Sequence, residues 1–444
     1  MGPSSATAGA KRALIGVGSL LAMAPAAHAA SWTYGVDVGV GATDNVTLVP
    51  TDRTSQTMAT ADLDFALKQQ SVWFDTNLKG NFSYLDFLQH AYSGELLGRF
   101  DGLAHLDITP ELRWALQDDF GQAQISPFAT PTPANLENVN YLSTGPDLAL
   151  RLGSISFMDL SARYARAQYQ TSPFSSNRVF ASVAWGVQFS PRSNISLDVN
   201  TERVLFDDVA LNPDFERSSA YGHYELQGAR TSLLAYIGLT DIDQRGASTS
   251  GPLLRLDLSR KLSAAAKLTL SAGRELTDSS TSFSAIQSGA IGAISTAPAP
   301  LASTSYTSTY LLVGWHYERD RTTFALSARS AIDTYQDQPQ LDSSASGAEL
   351  NIERKVTRAL SAQLLGSLYY TDYTHTNYSA EDGLVGAALI LREGRGLEFR
   401  LRYNHISRVA TGIGPGFREN VGFLTIGYRP GSRHDDQNLA QPVR

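Results

Sequence analysis

From Trp32 onward the chain alternates apolar and polar residues in runs, and the breaks between runs are alternately short and long. In one run Val179, Val183, Trp185, Val187 and Phe189 alternate with Phe180, Ser182, Ala184, Gly186 and Gln188. In others Ile195, Leu197 and Val199 oppose Ser196, Asp198 and Asn200, and Leu397, Phe399, Leu401 and Tyr403 oppose Glu398, Arg400, Arg402 and Asn404. Strand side chains point alternately to opposite faces, so each run predicts a strand with one apolar and one polar face. Nine short breaks centre on Gln69, Pro110, Gly153, Arg192, Ala229, Lys261, Asp320, Val356 and Arg395. Between them lie longer polar connections, including 121–139, 207–217, 277–303 and 409–417. Short turns at one end and long loops at the other are the pattern of antiparallel hairpins in a transmembrane barrel. Counting from Trp32–Val40 to Val421–Tyr428 predicts twenty strands. The first strand and Leu148–Leu152 are the most weakly patterned, so the expected count is eighteen to twenty.

The start of the chain decides where such a sheet would go. Lys11 and Arg12 precede an apolar stretch, Ala13–Ala26, and Ala27-His28-Ala29 forms a small-residue cleavage site. This predicts a signal peptide over residues 1–29, cleaved after Ala29. Beyond it the longest apolar run is Gly383–Leu391, well short of the ~20 residues of a spanning helix. The expected organisation is therefore an all-β, closed, antiparallel up-and-down barrel over residues 30–428 in a Gram-negative outer membrane. Both termini would be periplasmic, the long loops outside, and residues 429–444 a polar periplasmic tail. Strand-like sequence from Trp32 leaves no room for an N-terminal plug domain, which argues against a TonB-type receptor.

Charge and composition narrow the function. Cysteine is absent, which removes disulfides, thiolate metal sites and cysteine nucleophiles. The formal charge of −7 becomes −9 once Lys11 and Arg12 leave with the signal. That excludes nucleic acid, whose binding needs basic stripes. No G-x-S-x-G, H-E-x-x-H or phosphate-binding loop occurs, so an enzyme is not expected and no cofactor is implied. Asp118-Asp119, Asp207-Asp208 and Asp372 with His375 are the acid–base candidates an outer-membrane hydrolase or acyltransferase would use. Asp241–Gly246 begins like a calcium loop but lacks the later acid.

Parity places polar residues on the inner face: Lys79, Arg99, Asp101, Arg113, Arg151, Arg163, Asp198, Glu202, Arg255, Asp257, Glu349, Glu353, Glu398, Arg400 and Arg402, with Tyr221 and Tyr310. Neither sign dominates, as it would in an ion-selective ring. Two readings stay open: a hydrated wall for neutral or weakly charged sugar chains, or cross-strand salt bridges bracing a large barrel. Arg400→Ala and Glu398→Ala are accordingly expected to leave assembly nearly intact. Trp32, Tyr34, Trp114, Phe120, Trp185, Phe189, Trp315, Tyr317 and Tyr428 read as interfacial aromatics on the outer face. Tyr369, Tyr370, Tyr373 and Tyr378, near an outer loop, are the better candidates for stacking on sugars.

After the first strand, Asp44-Asn45-Val46-Thr47-Leu48-Val49-Pro50 resembles a short motif of the β-barrel porin 2 family, outer-membrane barrels found in exopolysaccharide operons. The resemblance extends over the mature chain in length, signal, hairpins and polar loops. It implies export of an exopolysaccharide across the outer membrane, together with a periplasmic polysaccharide-export protein, and eighteen strands as the commoner count. The alternative function is a general diffusion porin for small polar solutes. Outer-membrane lipid is a partner on either reading.

Overall fold

The computed structural model describes residues 30–287, 304–394, 396–412 and 414–430. The predicted signal peptide, most of the 277–303 connection, Arg395 and the tail beyond Pro430 lie outside the described residues. β1 spans Ala30–Thr43, β2 Gln56–Gln70, β3 Phe74–Phe87, β4 Glu95–Asp107 and β5 Leu112–Gln124. β6 is Leu136–Arg151, β7 Ser156–Tyr169, β8 Ser176–Ser190, β9 Ser193–Phe206 and β10 Phe215–Gln227. β11 is Thr231–Gln244, β12 Ala247–Lys261, β13 Ala266–Thr277, β14 Tyr306–Arg319 and β15 Thr322–Tyr335. β16 is Ser343–Lys355, β17 Leu360–Tyr373, β18 Tyr378–Glu393, β19 Leu397–Thr411 and β20 Phe417–Tyr428. A helix, α1 (Ser279–Gln287), follows β13.

Every strand pairs antiparallel with its chain neighbours, and β1 pairs β20, Val36 facing Tyr428 and Thr43 facing Val421. The twenty strands thus form one closed up-and-down barrel with no free sheet edge. Both weakly patterned segments are strands, β1 and the end of β6, so the count is twenty rather than eighteen. An even count puts both ends of the barrel chain at the end that carries the nine short turns.

Exposure confirms the faces. Val183, Leu197, Val199, Leu401 and Leu424 are exposed on the outside, whereas their polar neighbours face the interior. All five tryptophans, Trp32, Trp73, Trp114, Trp185 and Trp315, lie toward the short-turn end. Tyr84, Tyr164, Tyr370 and Tyr403 lie outward toward the other end. From Phe74 to Tyr84 on β3, at ~3.3 Å per residue and a tilt of ~40°, the apolar band is about 25 Å tall. That matches a bilayer core, and the molecule is built as an outer-membrane barrel.

Several boundaries differ from the sequence reading. Gln69 and Lys261 are strand residues, and the turns are 71–73 and 262–265. The loops shrink to 125–135, 207–214 and 412–416. The reason is common to all: ladder hydrogen bonds use the backbone, so pairing continues through polar residues after the apolar alternation stops. Asp241–Gly246 is a hairpin tip and not a calcium loop. Arg245 and Gly246 make a two-residue turn at φ 55° and 76°, the left-handed geometry of tight hairpins. Asp241 there accepts hydrogen bonds from Ser248 and Ser250, both 2.7 Å. Phe120 belongs to an aromatic cluster with Phe65, Phe82 and Phe100 rather than to a girdle.

Candidate functional site: the barrel lumen

The fifteen inward residues expected from sequence all fall on the lumen face by register. They are joined into local pairs. Lys79 stands opposite Asp101. Arg113 binds Asp107 at 2.6 Å, and Arg163 grips Asp147 through two contacts of 2.5 and 2.6 Å. Arg255 binds Asp257 at 2.7 Å, and Asp198 accepts the Ser196 hydroxyl at 2.6 Å. Tyr369 reaches Glu349 at 3.4 Å, Glu353 faces Gln363, and Arg402 lies 4.9 Å over the Phe423 ring. Arg99 neighbours Asp101 on β4, and Arg151 ends β6 near Asp159 of β7. Charges of both signs therefore meet in pairs along the wall, and among the described residues no ring of one sign forms.

Two hubs were not legible as such. Glu398, 2 % exposed, takes Arg392 at 3.0 Å, Arg400 at 2.7 Å and Arg429 at 2.9 Å. Arg429 also binds Asp37 at 2.6 Å and Asp64 at 2.5 Å, holding the chain after β20 against the first two strands. Glu398 is thus a buried junction rather than a replaceable lumen charge, against the expectation for Glu398→Ala.

At the loop end two segments fold inward. Loop 125–135 leaves β5 and sends Phe128 to Tyr373 and Tyr378, with ring centroids 4.9 and 5.5 Å apart. Arg408, tied to Asp382 at 2.7 Å, donates to the Ala129 carbonyl at 3.2 Å. So Tyr373 and Tyr378 are packed beneath this loop, whereas Tyr370 points outward. The second segment is α1, whose first turn is capped by Asp278: the carboxylate accepts from the Ser280 and Thr281 backbone at 3.1 and 3.2 Å. Asp278 is also half of a buried quartet. Arg178 binds it at 2.5 Å and Glu202 at 3.1 Å, and Arg217 binds Asp278 at 3.2 Å and also Glu202. Burial works to raise the Asp278 pKa, but the two guanidiniums outweigh it and hold the carboxyl well below its usual range. The far side of α1 is seated by Ser284 on Asp119 (2.6 Å), by Tyr169 with Ser280 (2.9 Å), and by Phe283 among Ala123, Val139 and Ala167. Starting from β13, the segment thus crosses to the β5–β8 wall.

The acid–base candidates do not assemble. Asp118 and Asp119 point to opposite faces, to Asn140 and to Ser284. Asp207 is locked to Arg166, and His375 meets Asp342 at 3.2 Å instead of Asp372. Asp44 and Asn45 are structural: Asp44 accepts from the Asn420 backbone (2.7 Å) and side chain (2.6 Å). Asn45 donates to the Val49 and Arg418 carbonyls at 2.7 and 2.9 Å. The motif fastens the first loop to β20.

No family model and no curated protein matches the chain. Among solved structures it is similar to the siderophore receptor PirA from Pseudomonas aeruginosa, at 11% identity and TM-score 0.40, over 89% of this chain and 80% of that one. It is similar to the FrpB iron transporter from Neisseria meningitidis (F5-1 variant) at 10% identity and TM-score 0.41, over 89% and 82%. The copper transporter OprC gives 10% identity and TM-score 0.40, over 91% and 81%.

Proposed function

We propose that the barrel is an outer-membrane conduit that exports an exopolysaccharide, working with a periplasmic export protein at its short-turn end. The observation that carries this reading is the lumen wall, where opposite charges are matched at short range. Such a wall has hydrogen-bonding groups throughout and little net field, which suits a hydrated glycan better than a selected ion. Barrels of 16–18 strands already leave an aqueous channel, and a twenty-strand sheet is wider. α1 and loop 125–135 act as the stopper on the loop side and move aside for the polymer. The Asp44-Asn45 resemblance points to the same solute class.

Deleting the gene tests the reading. Polymer should accumulate in the periplasm while growth on small nutrients stays normal. Unchanged secretion with reduced uptake of a small solute would replace export by passive diffusion.

A further inference from the structure

Away from the lumen, the short-turn end is electrically lopsided. The hairpins β12–β13, β14–β15 and β16–β17 carry Arg260, Lys261, Arg319, Arg321, Arg354 and Arg358 at their tips, with Glu318, Asp320 and the inward Glu353 as the acids beside them. On the opposite arc, the β2–β3 and β4–β5 hairpins carry Asp75, Asp107 and Glu111 against Lys68 and Arg113, with Arg113 tied to Asp107 at 2.6 Å. Part of the basic arc also has an arrangement that a solvated fringe does not require. Arg319, Thr322 and Arg354 stand in one row across β14, β15 and β16 on the lipid-facing side. The two arginines therefore flank the threonine, their backbones two strand spacings, roughly 10 Å, apart. Arg354 already donates to the Thr322 hydroxyl at 2.8 Å, and among the described residues Arg319 has only the exposed Asp320 at 3.5 Å as an ion partner. Directly above on the same face lie Tyr317, Phe324 and Ile352, with Trp315 packed on Phe324 at 5.0 Å.

We propose that this face of β14–β16 is a binding site for an anionic phospholipid of the periplasmic leaflet. The phosphate sits between Arg319 and Arg354, where charge-assisted bonds from two planar guanidiniums converge, and the Thr322 hydroxyl donates a further bond. The acyl chains run over Tyr317, Phe324 and Ile352 toward Trp315, one row further from the turn, and Tyr317 marks the headgroup boundary. Zwitterionic lipid offers the same phosphate but brings its own cation beside two arginines, so the site selects for net negative headgroups. The reading does not depend on which solute crosses the lumen.

The test uses the full barrel in nanodiscs containing equal phosphatidylglycerol and phosphatidylcholine, extracted gently and weighed by native mass spectrometry. Wild type should retain phosphatidylglycerol about thirtyfold over phosphatidylcholine, since two basic side chains near a membrane surface contribute ~1 kcal/mol each toward anionic lipid and ~1.4 kcal/mol is tenfold. R319Q/R354Q should bring the ratio close to one, whereas R192Q/R230Q, on hairpins of the same end, should leave it unchanged. Equal retention of both lipids by wild type overturns the proposal, as does an unaltered preference in R319Q/R354Q. Loss of preference in both double variants would reduce it to diffuse surface charge. Displacement of the lipid by millimolar inorganic phosphate would make it a free-phosphate site instead.

Discussion

Asp278→Ala should unlatch the inward helix. The carboxylate does two things at once: it caps α1, and it neutralises Arg178 and Arg217 in a quartet whose other acid is Glu202. Removing an N-cap costs about 1 kcal/mol. Removing one partner of a buried ion pair costs about 3–5 kcal/mol, because the remaining charges are left without compensation. Glu202 can satisfy only part of two guanidiniums, so the lower figure is the safer one. At 1.4 kcal/mol per tenfold, ~3 kcal/mol raises the ratio of displaced to seated helix by about a hundred. Single-channel recording of the purified barrel in planar bilayers reads this as a rise in open probability or in mean conductance. The pH dependence has a definite sign. Because the carboxyl is held below its usual range, its contribution is complete above the ordinary carboxylate pKa and disappears only as pH falls through the depressed value. The latch should therefore hold between pH 7 and pH 5. A folded Asp278→Ala barrel with wild-type conductance would refute the latch, and so would opening of the wild type on mild acidification.

Other outcomes follow from the same contacts. Glu398→Ala should lower unfolding stability in micelles by about 3–5 kcal/mol, since Arg392, Arg400 and Arg429 converge on it; Arg400→Ala should cost clearly less, and equal urea midpoints would refute the hub. Val183→Arg and Leu401→Arg place a charge in lipid and should each cost about 2–4 kcal/mol near the midplane, seen as lost assembly in lipid vesicles. Asn45→Ala orphans the Val49 and Arg418 carbonyls and should cost about 1–3 kcal/mol, read by the same urea titration. An epitope inserted at Gly246, in open space at a hairpin tip, should be labelled on intact cells, whereas one at Gly394 should not; the reverse would invert the topology.

The barrel was legible because membrane and lumen impose opposite demands on neighbouring residues. Val183 and Ser182, or Leu401 and Arg402, state their faces by parity alone. The turn positions were legible for the same reason, to within the stretch where polar strand residues such as Gln69 prolong the ladder. The stopper was not. Asp278 lies just past a strand, and nothing in its neighbours shows that Arg178 and Arg217, far away in sequence, close around it. Phe128 is equally silent, because loops obey no period. The 277–303 connection was legible as a long loop, but its anchor could not be named. Glu398 was placed on the correct face and assigned the wrong weight, since parity gives direction and not partners.

The β1–β20 seam joins residues almost four hundred positions apart, such as Val36 and Tyr428. No such contact can form until the last hairpin has been delivered, so the seam is the slowest pairing in the molecule to find. Its two ends are fastened by side chains as well as by ladder bonds: Arg429 on Asp37 at one end, and Asp44 with Asn45 on Asn420 and Arg418 at the other. These fasteners lie beyond the reach of lipid-facing residues and count little while the sheet is growing. Their weight falls on the final step, where they make closure hard to reverse, so damage to them should shorten the lifetime of the finished barrel far more than it delays the folding of the rest.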